Sequence, residues 1–109
     1  MAAQDDIVQM LSGKSKQGPL TLIAAATTGD TANVQAWLDK GANVNATFKN
    51  RFSILMLAAQ GGHTSTVQLL LDRGAEVNAK NKEGKTALML AESAGQTEVL
   101  QLLTTAGAR

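Results

Sequence analysis

The chain repeats itself with a period of 33 residues, and this period limits its fold more than any other feature. Aligning residues 15–47 with 48–80 gives 15 identities in 33 positions, and aligning 48–76 with 81–109 gives 12 in 29. The pair Gly41-Ala42 recurs at 74–75 and again at 107–108. A period of this length is typical of a solenoid, in which each unit buries its apolar face only against its neighbours.

Each unit has the pattern of two short helices. In the last unit Thr86 is a candidate N-cap, and the apolar run that begins at Leu88 ends before Gly95, which is predicted to be left-handed. Residues 99–103 form a second apolar stretch with helical spacing, which stops before Gly107. The middle unit repeats this pattern from Ser53. Because helices of about nine residues are unstable alone in water, we expect the pairs to stack in a line around an aliphatic core.

Composition excludes several kinds of chemistry. The chain has no cysteine and one histidine, which excludes disulfides, thiolate catalysis, cysteine zinc sites and multi-histidine metal sites, so no cofactor is expected. Ten basic and nine acidic residues give a net charge of +1, which argues against strong non-specific attraction to nucleic acid or an acidic membrane. Neither an apolar run of about 20 residues nor a signal-peptide pattern is present, and we therefore expect a cytoplasmic protein.

The motifs of the units resemble ankyrin repeats. They are Gly-x-Thr-Ala-Leu-Met-Leu-Ala at 84–91, Val-Leu-x-Leu-Leu at 99–103, Gly-His-Thr at 62–64 and Gly-Ala-Glu-Val-Asn-Ala at 74–79. The resemblance covers about residues 15–109. It implies an all-α solenoid of helix-turn-helix units with projecting finger loops, divided into repeats at about 15–47, 48–80 and 81–109.

Both ends of this array are expected to be closed. Residues 1–14 are predicted to form an N-terminal capping helix, since the end of a stack otherwise exposes an apolar face. At the other end Glu92, Gln96, Thr104 and Thr105 are expected to face solvent.

The sequence departs from the family pattern at identifiable positions. The tetrapeptide Thr-Pro-Leu-His of the family is replaced at 20–23, 53–56 and 86–89 by sequences without proline or histidine, so we expect the helix starts to be less firmly fixed. Arg51 stands where the other units have Gly18 and Gly84. Because positive φ suits glycine and penalises arginine, we expect a different turn here, with Asn50 left-handed.

The basic residues are concentrated in the fingers. The resemblance places fingers at 43–52 and 76–85 and a partial one at 14–19, and seven of the ten basic residues lie in or beside them: Lys14, Lys16, Lys49, Arg51, Lys80, Lys82 and Lys85. Asn45 and Asn78 are expected to hydrogen-bond the backbone of their own fingers. A row of positive charge would steer an acidic partner mainly through the association rate.

Phe48 and Phe52 flank Lys49 and Arg51 in the middle finger, which makes this segment a candidate binding hot spot. The alternative is that Phe52 packs against the next finger and that the lysines only keep the loops soluble. With the concave surface implied by the family, the predicted partner-binding residues are Lys16, Gln17, Thr28, Phe48, Lys49, Asn50, Arg51, Phe52, Gln60, Lys80, Lys82, Lys85 and Ser93.

The function favoured by these features is that of a non-catalytic, monomeric protein-interaction module. It would bind a protein with an acidic surface and act by masking, stabilising or scaffolding that partner. The alternative is a nucleic-acid binder that uses the same basic fingers, which would make its affinity steeply dependent on salt. Catalysis is not expected, because His63 is the single possible imidazole base and no constellation surrounds it in the sequence.

Overall fold

The structure is a computed structural model that describes residues 18–108. The predicted capping helix at 1–14 and the predicted site residues Lys16 and Gln17 lie outside the described residues. The described residues form three helical pairs with two fingers between them.

The helical pairs stack in a line, as the repeat predicts. The first helices of the units are α1 (Gly18–Thr28), α3 (Ile54–Gln60) and α5 (Ala87–Ser93), and the second helices are α2 (Thr31–Asp39), α4 (Thr64–Asp72) and α6 (Thr97–Thr105). Helix α1 packs on α3 and α3 on α5, while α2 packs on α4 and α4 on α6. The predicted solenoid of helix-turn-helix units is confirmed.

The residues that start and end the helices behave as predicted. The hydroxyl of Ser53 accepts a hydrogen bond from the amide of Met56 at 3.1 Å, and Thr86 does the same for Met89 at 3.3 Å. Each cap satisfies a first-turn amide that has no partner within the helix. After α5, Gly95 has φ +75°, the left-handed conformation that ends a helix.

The core is aliphatic and continuous through all three units. Small side chains between the first helices are buried, among them Ala25, Ala26, Ala58, Ala59 and Ala91. Leucine and valine from the second helices complete the core, with Val67, Leu70 and Leu103 fully buried. Close approach of the first helices thus depends on alanine, while both sets of helices supply larger side chains, among them Leu22, Ile54 and Leu55 from the first helices.

The finger between the first two units adds a small sheet to the helical fold. Strands β1 (Thr47–Phe48) and β2 (Phe52–Ser53) pair antiparallel, with Phe48 opposite Phe52. The three residues Lys49–Arg51 join them in a tight turn. This hairpin leads directly into α3, so its tip is held at a fixed position relative to the helical stack.

Candidate partner-binding surface on the finger loops

The tip of the middle finger is a tight turn whose two central residues both have positive φ. Asn50 has φ 60° and ψ 22°, Arg51 has φ 62°, and the amide of Phe52 donates to the carbonyl of Lys49 across the turn. The predicted left-handed conformation of Asn50 is confirmed. Arg51 is left-handed as well, at the position where Gly84 has φ 79°. Because a side chain in this conformation costs about 1–2 kcal/mol, Arg51 is the strained residue of the tip.

In the last finger, Asn81 braces the loop from inside. Its side-chain oxygen accepts hydrogen bonds from the backbone amides of Glu83 at 2.8 Å and Lys85 at 3.0 Å, and its backbone N–H donates to the Lys85 carbonyl at 2.9 Å. Asn81 is only 5% exposed. The loop that carries the last lysines is therefore shaped by a buried amide side chain.

A backbone hydrogen bond joins the two finger tips. The amide of Lys82 donates to the carbonyl of Asn50 at 2.8 Å. Within residues 18–108 the one side-chain ion pair joins Arg73 to Asp39, which lie just before the two fingers and not in them. The basic side chains of the two fingers are exposed, and no carboxylate of residues 18–108 lies at salt-bridge distance from them. They are Lys49, Arg51, Lys80, Lys82 and Lys85. The two tips thus hold neighbouring cations in a fixed register.

The asparagines at the finger bases connect neighbouring units. The side-chain oxygen of Asn45 accepts from the amide of Glu76 at 2.8 Å, and Asn78 donates from Nδ2 to the Gly107 carbonyl at 3.3 Å. Each of these partners lies at the base of the following unit, so Asn45 bonds across units and not within its own finger as predicted. They contribute to the alignment of the fingers rather than to the shape of one loop.

The two phenylalanines of the middle finger have different surroundings. Phe48 is 41% exposed, and the ammonium of Lys49 lies 5.8 Å from the centre of its ring, within the range of a cation–π contact. Phe52 is partly buried and packs against the core. A partner can therefore reach Phe48 more fully, whereas Phe52 also supports the finger from below.

The predicted site residues on the first helices lie apart from the finger tips. Thr28, Gln60 and Ser93 are exposed and occupy the C-terminal ends of α1, α3 and α5, whereas the fingers lead into the N-terminal ends of α3 and α5. The seven residues of α3 separate the exposed C-terminal end of this helix from the finger at its N-terminal end by about 10 Å. The Thr28 hydroxyl donates to the Ala24 carbonyl at 3.0 Å within its own helix.

His63 has a structural position between the first two units. Its Nε2 donates to the Thr27 carbonyl at 2.8 Å, and a Cβ at Gly29 or Gly61 would collide with its ring. Gln96 occupies the same position one unit later and donates to the Gln60 carbonyl at 3.1 Å. Gln96 is therefore half-buried and faces back toward the middle unit, whereas Glu92, Thr104 and Thr105, the other residues predicted to face solvent at this end, are exposed.

Residues 18–108 show neither a metal site nor a membrane-spanning helix. No group of three or more histidine or carboxylate side chains there is placed to hold a metal ion. In the same residues, every helix is too short or too polar to cross a bilayer.

Comparisons with known proteins agree with the stacked geometry. The profile described as "Ankyrin repeats (3 copies)" matches residues 1–81 and 22–109, and the chain therefore belongs to the ankyrin repeat family. Among solved structures it is similar to the ankyrin repeat domain of human ASB11, with 34% identity and a TM-score of 0.77. That match covers 81% of this chain and 40% of the ASB11 chain, so this chain spans less than half of that relative. A search of curated proteins finds no significant match.

Ankyrin repeats are in general protein–protein interaction modules. The family is also generally non-catalytic.

Proposed function

We propose that the chain is a non-catalytic module that binds an acidic protein surface through its two described finger tips and the exposed ends of the first helices. The residues of this surface are those predicted from the sequence. Cytoplasmic location and a monomeric state remain predictions, and the second is tested by light scattering at several protein concentrations.

The observation that carries this proposal is the conformation of Arg51. A left-handed arginine replaces the glycine that the last unit has at the same position. Strained side chains at exposed positions are found preferentially where a protein binds or reacts. Exposed Phe48 lies in the same hairpin, so the middle finger of the array carries both an aromatic side chain and a cation. Aromatic and arginine side chains are enriched among the residues that carry binding energy.

Rigid presentation is the proposed mechanism. The hydrogen bond between Lys82 and Asn50 and the bracing of the last finger by Asn81 order the loops before any partner arrives. Binding to a pre-ordered surface loses little conformational entropy. The bound module would mask, stabilise or scaffold its partner, depending on what else the partner contacts.

The test is a double variant of the finger, Phe48→Ala with Arg51→Gly. Phe52 is left in place because it packs on the core. A partner captured from cell extract by the native chain should bind the variant about 30-fold more weakly, since hot-spot truncations cost about 2 kcal/mol or more. Lys40→Ala is the matched control, because Lys40 is an exposed cation outside the fingers. Equal affinity of the native chain and the double variant would refute the site.

Salt separates a protein partner from nucleic acid. Affinity for an acidic protein surface should fall moderately as salt rises. Duplex DNA and RNA, titrated at two salt concentrations, should bind only weakly. Tight binding with a steep salt dependence would favour the nucleic-acid alternative.

A further inference from the structure

A second surface lies between the second helices of the last two units. A groove of about 660 Å³ runs between α4 and α6. Leu71 and Leu102 are partly buried along it, and the exposed carboxylates of Asp72 and Glu98 lie on its two walls. The groove is therefore acidic and partly apolar, in contrast to the basic fingers.

The preceding pair of units shows which chemical group fits this position. There Arg73, which directly follows α4, reaches back to Asp39 at the end of α2, with 2.7 Å between its Nη2 and the carboxylate oxygen. Asp39 and Asp72 are equivalent in the 33-residue repeat, and so are Arg73 and Ala106. Between the first two units the aspartate therefore pairs with an arginine of the chain itself. Between the last two units alanine stands at the position of that arginine.

Asp72 is left without a cation by this replacement. Its carboxylate accepts one hydrogen bond, from Nε2 of Gln68 at 2.9 Å, and within residues 18–108 it takes part in no salt bridge. Glu98 lies near the other end of the groove and adds a second negative charge. We infer that this outer groove binds an arginine side chain of a partner protein, with the guanidinium on Asp72 and the aliphatic stem along Leu71 and Leu102.

The chemistry of arginine suits both parts of the groove. A planar guanidinium pairs with a carboxylate through directed hydrogen bonds, and its three-carbon stem packs on apolar side chains. The inference does not depend on the proposed function of the fingers, because the groove lies on the second helices.

The probe is a blocked tripeptide, acetyl-leucyl-arginyl-leucinamide, titrated into the ¹⁵N-labelled chain. Saturable shifts should be concentrated on the amides of Gln68, Leu71, Asp72 and Leu102. The same peptide with citrulline in place of arginine has nearly the same shape and no charge, and should bind at least tenfold more weakly.

Two variants test the assigned geometry. Asp72→Asn should weaken binding at least tenfold, because it removes the charge from an exposed position and keeps the shape. Ala106→Arg should also weaken binding at least tenfold, because the new arginine should pair with Asp72 and occupy the groove. It should fold normally, since Ala106 has φ −81° and ψ 0°, close to the φ −93° and ψ 10° of Arg73.

Arg73→Ala is the complementary variant and should create a second cluster of shifts beside Asp39. The finger variant Phe48→Ala with Arg51→Gly should bind the tripeptide as the native chain does, which separates this site from the proposed function. Unchanged affinity of Asp72→Asn, or equal binding of the citrulline peptide, would overturn the inference. So would a concentration-dependent dimer that Ala106→Arg abolishes, because the occupant would then be a second copy of this chain.

Discussion

At the scale of single residues, Arg51 combines a backbone conformation that favours glycine with the positive charge of the proposed surface. Its φ of 62° lies in the left-handed region, next to Asn50 at 60°. A four-residue turn whose two central residues both have positive φ favours Asn-Gly at those two positions. The middle finger has asparagine at the first of these positions and arginine, in place of glycine, at the second. The arginine adds a positive charge at the tip and strains the backbone there.

Arg51→Gly should therefore stabilise the chain by about 0.5–1 kcal/mol. Relief of the left-handed side chain gains about 1–2 kcal/mol, and the larger freedom of glycine in the unfolded chain removes part of it. Urea unfolding measures the change. The matched control is the reverse exchange, Gly84→Arg at φ 79°, which should lose a similar amount. A lower stability of Arg51→Gly would show that the arginine side chain stabilises the finger.

The sequence predicted the unusual turn at Asn50 and Arg51, but it did not predict every hydrogen-bond partner of the finger residues. Alignment of the repeats placed Arg51 against two glycines, which indicated a special backbone position and pointed to Asn50. The partner of Asn45 could not be inferred in this way, because it lies 31 residues away and depends on how two units stack. Local patterns predict local hydrogen bonds, and packing decides those between units.

At the scale of elements, the helices followed from apolar spacing, caps and glycines, whereas the strands of the finger did not. A hairpin with two residues in each strand has too few alternating positions to give a sequence pattern. The helix starts lack the family tetrapeptide but have side-chain caps. Ser53 and Thr86 cap α3 and α5, and the Ser53 amide contacts the thioether of Met56 at 3.4 Å.

The turn between the helices of one unit is fastened to the first helix of the unit before it. His63 makes this bond to the Thr27 carbonyl, and Gln96 makes it to the Gln60 carbonyl. His63→Ala should cost about 1 kcal/mol of stability in thermal or urea unfolding, the usual contribution of such a hydrogen bond.

His63→Gln is the matched control, because glutamine makes the bond at the next turn. It should recover most of the loss. If glutamine destabilises as much as alanine, the packing of the ring against Gly29 and Gly61 matters more than the hydrogen bond.

At the scale of the whole molecule, a nearly neutral chain carries opposite charges on different surfaces. The fingers present lysine and arginine, whereas Asp39, Asp72 and Glu98 lie on the second helices. The net charge of +1 conceals this separation. Each surface can therefore attract a partner of opposite charge, and the two proposed sites select different chemistry.

The second helix of the first unit carries a side chain that is less buried than its equivalents in the later units. Leu70 and Leu103 are fully buried at the repeat position that Trp37 occupies in α2. Leu103 belongs to the last unit, so its burial comes from the helices of its own unit and of the preceding one. Trp37 is only partly buried and lines a cavity of about 280 Å³ with Leu22, Ala42 and Ala46. An apolar cover at this end is what a capping segment would supply.

Deleting residues 1–14 tests the cap predicted from the sequence. Ile7, Val8, Met10 and Leu11 give this segment four aliphatic side chains, and partial burial of them is worth about 2 kcal/mol or more. The deletion should lower the free energy of unfolding by that amount. It should also shift the emission of Trp37, the one tryptophan of the chain, to longer wavelength and increase its quenching by acrylamide. Replacing the four aliphatic residues with serine should reproduce both effects, whereas replacing Gln4 and Gln9 should reproduce neither. Stability and emission that stay the same after deletion would mean that these residues leave the first unit uncovered.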